Sequence, residues 1–221
     1  VCNSYGTKND LSKITDVKNS IVIYNPVLND SILSQSKSTV KDFVFDKRTK
    51  YLITVSRIAE ERNIIELINI FNLLPNKKNI QLLIIGDGPL LDECKSKVKQ
   101  LNLANKIHFF GYQSNPYKYL SRSHIYLSAA KWEGMGNSII EALLFRLYVI
   151  AYDSPGGVSE MLDDGKFGSL IPSGNRKKFV SDLIKNLNNS NAKNQDLKQH
   201  LELFKPDNVT KKYIDLIEEI S

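Results

Sequence analysis

Six apolar runs of strand length punctuate the chain: Ile21 to Tyr24, Tyr51 to Val55, Ile80 to Ile85, Lys106 to Phe110, Ile125 to Ser128 and Tyr148 to Tyr152. They are rich in Ile, Leu and Val and lack the apolar/polar alternation of a strand with one wet face, so both faces of each expect cover. Helical patterns fill the gaps between them. Strands that alternate with helices and need burial on both sides form a parallel sheet, because a parallel connection requires a crossover that a helix supplies. The expected fold class is α/β, a Rossmann-like doubly wound parallel sheet.

Composition narrows the choice. With 221 residues, 42% of them hydrophobic, the chain can bury one sizeable core, and a second full domain would be cramped. No run of eighteen or more apolar residues is present, so no transmembrane helix is expected. The chain begins at Val1 with neither a methionine nor a signal peptide's charged start and apolar stretch, and it reads as a piece of a longer protein. A formal charge of +6 and a pI near 9.1 admit a nucleic acid, an anionic membrane or an anionic substrate. The basic clusters Lys47, Arg48, Lys50 and Arg176, Lys177, Lys178 carry no interleaved aromatics for base stacking, so they read as solvated surface and no nucleic acid is expected.

Cys2 and Cys94 form neither a disulfide framework nor a metal-ligand spacing, which fits a reducing cytoplasm. His108, His124 and His200 are scattered, so neither a zinc site nor a Ser-His-Asp triad assembles. No metal and no cofactor are expected. Val27 to Lys50 lacks periodicity and carries Asn, Asp, Ser and Lys, so it reads as an entry loop rather than core. Ser181 to Gln199 is rich in Asn and Lys, yet Phe179, Val180, Leu183, Ile184 and Leu187 keep a helical stripe through its first half. A last helix follows Pro206 and Asp207, with Val209, Tyr213, Ile214, Leu216, Ile217 and Ile220 as its apolar positions.

The segment most suggestive of chemistry is Trp132-Glu133-Gly134-Met135-Gly136-Asn137-Ser138-Ile139-Ile140-Glu141. A glycine-rich turn that feeds a helix exposes unpaired N–H groups at the positive end of the helix dipole, a seat for phosphate. If the helix begins near Asn137, Glu141 lies roughly 6 Å along its axis on the same face, while Glu133 stays in the loop. Two carboxylates beside a phosphate repel it unless hydroxyl donors occupy them, and a nucleotide diphosphate sugar supplies both the phosphates and the hydroxyls. Glu141 stands among Ile139, Ile140, Ala142, Leu143 and Leu144, where a carboxylate should be paired or ligand-bound rather than a surface partner.

Glu133 and Glu141, with seven residues between them, resemble the paired-glutamate motif of family 4 retaining glycosyltransferases, the group 1 transferases of the two-domain GT-B fold. Other segments agree in order and spacing: Ile23-Tyr24-Asn25-Pro26, Val55-Ser56-Arg57, Ile85-Gly86-Asp87-Gly88-Pro89, Phe110-Gly111-Tyr112 and Ser154-Pro155-Gly156-Gly157-Val158-Ser159-Glu160. The similarity covers nearly the whole chain and corresponds to the C-terminal, donor-binding half of such an enzyme. It implies that residues 1–24 end an N-terminal domain and cross into the second. Residues 25–203 would form the nucleotide-sugar-binding domain, and residues 204–221 a C-terminal helix that returns to the first.

Site roles follow partly from the residues and partly from the resemblance. Arg57, just after a strand at the carboxyl edge of the sheet, can fork two N–H bonds onto a diphosphate. The family places a lysine a few residues on, where this chain has Arg62 with Glu60 and Glu61 alongside as possible neutralisers. For both arginines the plainer reading is a surface salt bridge. In Gly86-Asp87-Gly88-Pro89 the glycines allow either a ligand's approach or a plain strand-to-helix turn, with Asp87 as the helix cap. The resemblance implies that Gly111 and Tyr112 touch the base, that Glu141 holds ribose hydroxyls and that Glu133 faces the transferred sugar. Gly136, Asn137 and Ser138 would meet the diphosphate or sugar. Trp132 and Met135 either pack beneath the loop or wall the sugar ring.

The function so implied is transfer of a hexosyl or N-acetylhexosaminyl group from a nucleotide diphosphate sugar, a UDP-sugar first among donors, to a glycan or lipid-linked acceptor. Neither glutamate is assigned as a nucleophile, and retention is implied by the family rather than by carboxylate spacing. Bacterial surface polysaccharide synthesis (capsule, O-antigen or lipopolysaccharide) is the expected setting. It would be cytoplasmic, with peripheral contact at the inner membrane face as an option. A catalytically inactive nucleotide-sugar-binding partner and, further off, a basic nucleic-acid-binding module are the alternatives.

Overall fold

The computed structural model describes residues 1–16, 19–188 and 196–220. In chain order these form α1 (Tyr5–Ile14), α2 (Ser31–Ser36), β1 (Lys50–Val55), a 3-10 turn at Glu60–Arg62, α3 (Ile64–Asn72), β2 (Ile80–Ile85), α4 (Leu91–Gln100) and β3 (Ile107–Phe109). Then follow α5 (Tyr117–Leu120), β4 (Ile125–Ser128), α6 (Asn137–Leu144), β5 (Tyr148–Asp153), α7 (Val158–Met161), β6 (Gly168–Pro172), α8 (Arg176–Asn188), α9 (Lys198–Glu202) and α10 (Pro206–Ile220). The fold class is the α/β one expected, a parallel six-stranded sheet in the order β3-β2-β1-β4-β5-β6. The strand order reverses between β1 and β4, the switch point outside which doubly wound sheets bind ligands.

Successive residues of each strand serve opposite cores, as the pleat requires. Tyr51, Ile53, Leu83, Ile85, Tyr126, Val149 and Ala151 pack with α5, α6 and α7 on one face. Leu52, Leu82, Ile84, Leu127 and Ile150 pack with α3, α4 and α8 on the other. Leu52, Ile53, Leu82 and Leu83 have no exposed surface, and each such side chain contributes about 1.5–3 kcal/mol of burial.

Four sequence expectations need correction. Ile21 to Tyr24 is no sheet strand: Ile23 is buried, but the segment pairs only through an isolated bridge between Cys2 and Val22. Val27 to Lys50 is not merely a loop, since it contains α2, buries Leu28 and Ile32, and sets Phe43 edge-on against Tyr51 and Phe110. β6 was not foreseen. Asp87 does not cap a helix, because α4 starts at Leu91 and the Asp87 carboxylate accepts from the Gly88 N–H at 2.7 Å. The stripe through Leu187 is helical as read, in α8, and residues 189–195 of the Asn-rich stretch lie outside the described residues.

Candidate functional site

At the switch point the chain leaving β1 and the chain leaving β4 part around a cavity of about 430 Å³, within the size range of small-molecule sites. Its walls are Val55 at the end of β1, Ser56 and Arg57 just after it, Arg62 from the 3-10 turn, Glu133 to Ser138 before and in α6, Glu141 one turn further, and Asn3 and Asn25 from the amino-terminal segment. Glu133 and Glu141 therefore face one concavity together with Arg57 and Arg62.

The Glu133 loop is held from behind by the loop after β5. Glu133 N–H donates to the Pro155 carbonyl at 3.0 Å, and the Glu133 carbonyl accepts from Gly157 N–H at 2.9 Å, a short parallel bridge. Gly156 makes this approach possible: at φ +109°, a Cβ there would stand 1.9 Å from the Glu133 carbonyl oxygen. From the other side, Ser4 Oγ and Thr7 Oγ1 donate to the Gly134 carbonyl at 2.7 and 3.2 Å. Ser4 also accepts from Thr7 N–H and so caps α1. Glu160, at the end of the Ser154 to Glu160 segment, receives the N–H groups of Tyr5 and Gly6 and the Tyr24 hydroxyl. A carboxylate at a helix amino terminus satisfies orphan donors and the dipole together.

Arg57 is exposed at the mouth, whereas Arg62 is mostly covered and forms an ion pair with Glu133. The partner is not Glu60 or Glu61 as their adjacency suggested: Glu60 reaches Lys131 at 2.8 Å instead. Arg62 Nε and Ser56 Oγ are buried and have no hydrogen-bond partner among the described residues, although buried polar atoms are normally satisfied. Both belong to residues of the cavity wall.

The helix beginning near Asn137 is α6, entered through Gly136 at φ +78° with no side chain capping it. The first turn is thus open toward the cavity, and the Tyr126 hydroxyl fixes the Ser138 side chain at 2.7 Å. Asn25 Nδ2 donates to Asn137 Oδ1 at 3.0 Å. Glu141 accepts from Tyr117 Oη at 3.2 Å. Burial pushes its carboxyl up to about 7, and the Tyr117 hydrogen bond opposes that shift.

The other glycines and Tyr112 stand apart from this wall. A Cβ on Gly86 would lie 1.9 Å from the Ser56 carbonyl oxygen, and one on Gly88 2.4 Å from that of Ile58. These glycines let the turn after β2 pack on the loop that carries Arg57, and Ile58 N–H donates to the Asp87 carbonyl at 2.8 Å. Gly111 bridges Gly86, and Tyr112 is 79% exposed. Trp132 projects outward, while Met135 is buried and its sulfur accepts from Asn25 N–H. Asn3 and Tyr117 were not foreseen as site residues, and Asn25 and Ser56 were quoted only as parts of motifs. Among the described residues no cluster of His, Cys, Asp and Glu could hold a metal ion, and no helix is long and apolar enough to cross a membrane.

The chain is similar to N-acetylgalactosamine-N,N'-diacetylbacillosaminyl-diphospho-undecaprenol 4-alpha-N-acetylgalactosaminyltransferase of Campylobacter jejuni, 29% identical over 82% of this chain and 48% of that enzyme. It also resembles poly(ribitol-phosphate) alpha-N-acetylglucosaminyltransferase of Staphylococcus aureus, 29% identical over 61% of this chain and 28% of that one. The chain thus spans less than half the length of these curated relatives. Anabaena HepE, solved with UDP and glucose, shares the fold with a TM-score of 0.82 at 15% identity, over 99% of this chain and 62% of that one. The Glycosyl transferases group 1 profile matches residues 35–202, so the chain belongs to that family.

Proposed function

We propose that this chain is the C-terminal, donor-binding part of a family 4 retaining glycosyltransferase, with residues 1–24 as the crossing segment, 25–203 as the donor domain and 204–221 as the closing helix. The observation that carries the reading is the single cavity faced by two carboxylates, two arginines and the open amino terminus of α6. A nucleotide diphosphate sugar matches that set group by group. The diphosphate sits at the first turn of α6, by Asn137 and Ser138, where N–H groups and the dipole favour an anion. Arg57 and Arg62 complete its cradle. Glu141 takes the ribose hydroxyls, and Glu133 faces the transferred sugar.

In the transfer the bond from the anomeric carbon to the diphosphate oxygen breaks, negative charge grows on the departing phosphate, the acceptor hydroxyl oxygen bonds the anomeric carbon and its proton passes to the departing phosphate. Fixed cations and N–H groups aimed at that oxygen stabilise the charge without reorganising, usually the largest catalytic contribution. The acceptor is a hydroxyl of a surface glycan or lipid-linked glycan, in keeping with the diphospho-undecaprenol and poly(ribitol-phosphate) named for the two relatives above. A UDP-sugar of the hexose or N-acetylhexosamine type is the donor, and the setting is cytoplasmic. Gly111 and Tyr112 border the base, with Gly86 and Gly88 shaping the Arg57 loop.

Calorimetric titration with UDP, GDP and ADP tests this. One of them should bind, and Arg57→Ala should weaken that binding roughly tenfold, in line with losing a charge-assisted contact. Failure of all three to bind the wild-type chain would sink the reading.

A further inference from the structure

We propose that Tyr117 is a positioning residue for nucleotide recognition: its hydroxyl aims the Glu141 carboxylate so that it can grip the vicinal ribose diol of the donor. The inference rests on the donor-site reading above. Tyr117 opens α5, 24 residues before Glu141, and its hydroxyl stands 3.2 Å from Glu141 Oε1. Its ring lies tilted against Phe145 with centroids 6.2 Å apart, which braces it from the end of α6. Among the described residues no other side chain hydrogen-bonds the Glu141 carboxylate.

The groups that face Glu141 divide cleanly. From β4 comes Tyr126, whose hydroxyl is engaged with the Val55 carbonyl at 3.3 Å and with Ser138 Oγ at 2.7 Å. Across the cavity stand Arg57, Arg62 and Glu133, with Asn137 and Ser138 on α6 itself. Glu133 is paired with Arg62, so Tyr117 is the group that orients Glu141 directly. An ionised carboxylate offers about four acceptor positions on two oxygens. Tyr117 occupies one on Oε1 and leaves Oε2 and the rest of Oε1 for a pair of hydroxyls. A diol donating two O–H bonds matches a carboxylate held in one rotation, and a freely turning carboxylate would give up that match.

Proton chemistry supports the same arrangement. Burial and the adjacent Glu141 push the Tyr117 hydroxyl up to about 12, so it remains a donor throughout the neutral range. Its hydrogen bond favours the charged form of Glu141, against the burial that raises that carboxyl. Without the hydroxyl, Glu141 titrates at a higher pH and is more often protonated near neutrality.

The test compares wild type with Tyr117→Phe, which keeps the ring, by calorimetric titration with UDP, GDP and ADP and with their 2′,3′-dideoxy forms between pH 6 and pH 9. For the diphosphate that wild type binds, the variant should lose roughly threefold to tenfold in affinity at pH 7. The dideoxy form should bind both proteins equally, and the pH midpoint of ribonucleotide binding should move upward in the variant. In a Glu141→Gln background the Tyr117→Phe change should have no further effect, as a coupled pair requires. Equal losses on the ribose and dideoxy forms, or an unchanged ratio between them, would overturn the inference while leaving the donor site intact. Wild type that binds none of the six compounds would overturn both.

Discussion

In the proposed donor site the ion pair between Arg62 and Glu133 ties folding to ligand binding in opposite senses, and Glu133→Gln separates the two. The side chains are 27% and 13% exposed, so the pair is largely withdrawn from water. Removing one member of a fully buried pair costs about 3–5 kcal/mol, because the other charge is left uncompensated. Here part of Arg62 meets solvent and glutamine keeps an acceptor oxygen, which brings the expected loss to about 2 kcal/mol. For a domain of this size that lowers Tm by roughly 4–8 °C. The same substitution frees the Arg62 guanidinium, which in the proposed donor site is shared between Glu133 and an incoming diphosphate. Affinity for a nucleoside diphosphate should therefore rise, by roughly threefold to tenfold if 0.7–1.4 kcal/mol of the competition is relieved. Using UDP rather than a UDP-sugar matters, since a ligand without the sugar has no contact with Glu133 to lose. Scanning calorimetry and isothermal titration on the same preparation read both quantities. A lower Tm together with unchanged or weaker UDP binding would refute the idea that Glu133 restrains Arg62.

Glu141→Gln should stabilise the chain at pH 8 while weakening nucleotide binding more than tenfold. Burial lifts the folded-state carboxyl from 4.5 to about 7, so the folded chain holds a proton that the unfolded chain releases between those values. Wild-type stability therefore falls as pH rises through that window, and the glutamine recovers about 1–3 kcal/mol above it and nothing below pH 4.5. A Tm difference that is flat with pH would contradict this. Gly86→Ala should cost of order 3 kcal/mol and weaken UDP binding at a distance. The new methyl would meet the Ser56 carbonyl oxygen at 1.9 Å from a backbone at φ +136°, and unaltered binding would mean that the Arg57 loop does not depend on that packing. Glu160→Gln should cost about 1–2 kcal/mol by weakening the bonds from Tyr5 and Gly6 N–H. Hydrogen exchange in α1 should rise first, and protection unchanged over residues 5–14 would show that Glu160 does not hold that helix.

Local chemistry was legible in the sequence and its long-range partners were not. Strands buried on both faces betray themselves as unbroken apolar runs, and β1, β2, β4 and β5 emerged from that pattern alone. β6 carries only Leu170 and Ile171 between Gly168, Ser169 and Pro172, and exists because β5 offers it an edge. Ile21 to Tyr24 shows the converse, an apolar run whose Ile23 is buried by packing with no strand beside it. At the site, Glu133, Gly136, Asn137, Ser138, Glu141 and Arg57 could be read because each sits within a strand-end or helix-start pattern. Gly86 and Gly88 were visible too, but a glycine required by a neighbouring carbonyl and one required by a ligand leave the same mark. Tyr117 and the partner of Arg62 left none. Their meaning lies in contacts across distant parts of the chain, and no spacing rule links Tyr117 to a helix that begins after another strand has intervened. The residues that carry charge to the site are thus written locally, whereas those that set its geometry and protonation are chosen by tertiary packing. Variants at the second group, Tyr117 above all, should alter how the charged groups bind without removing any of them.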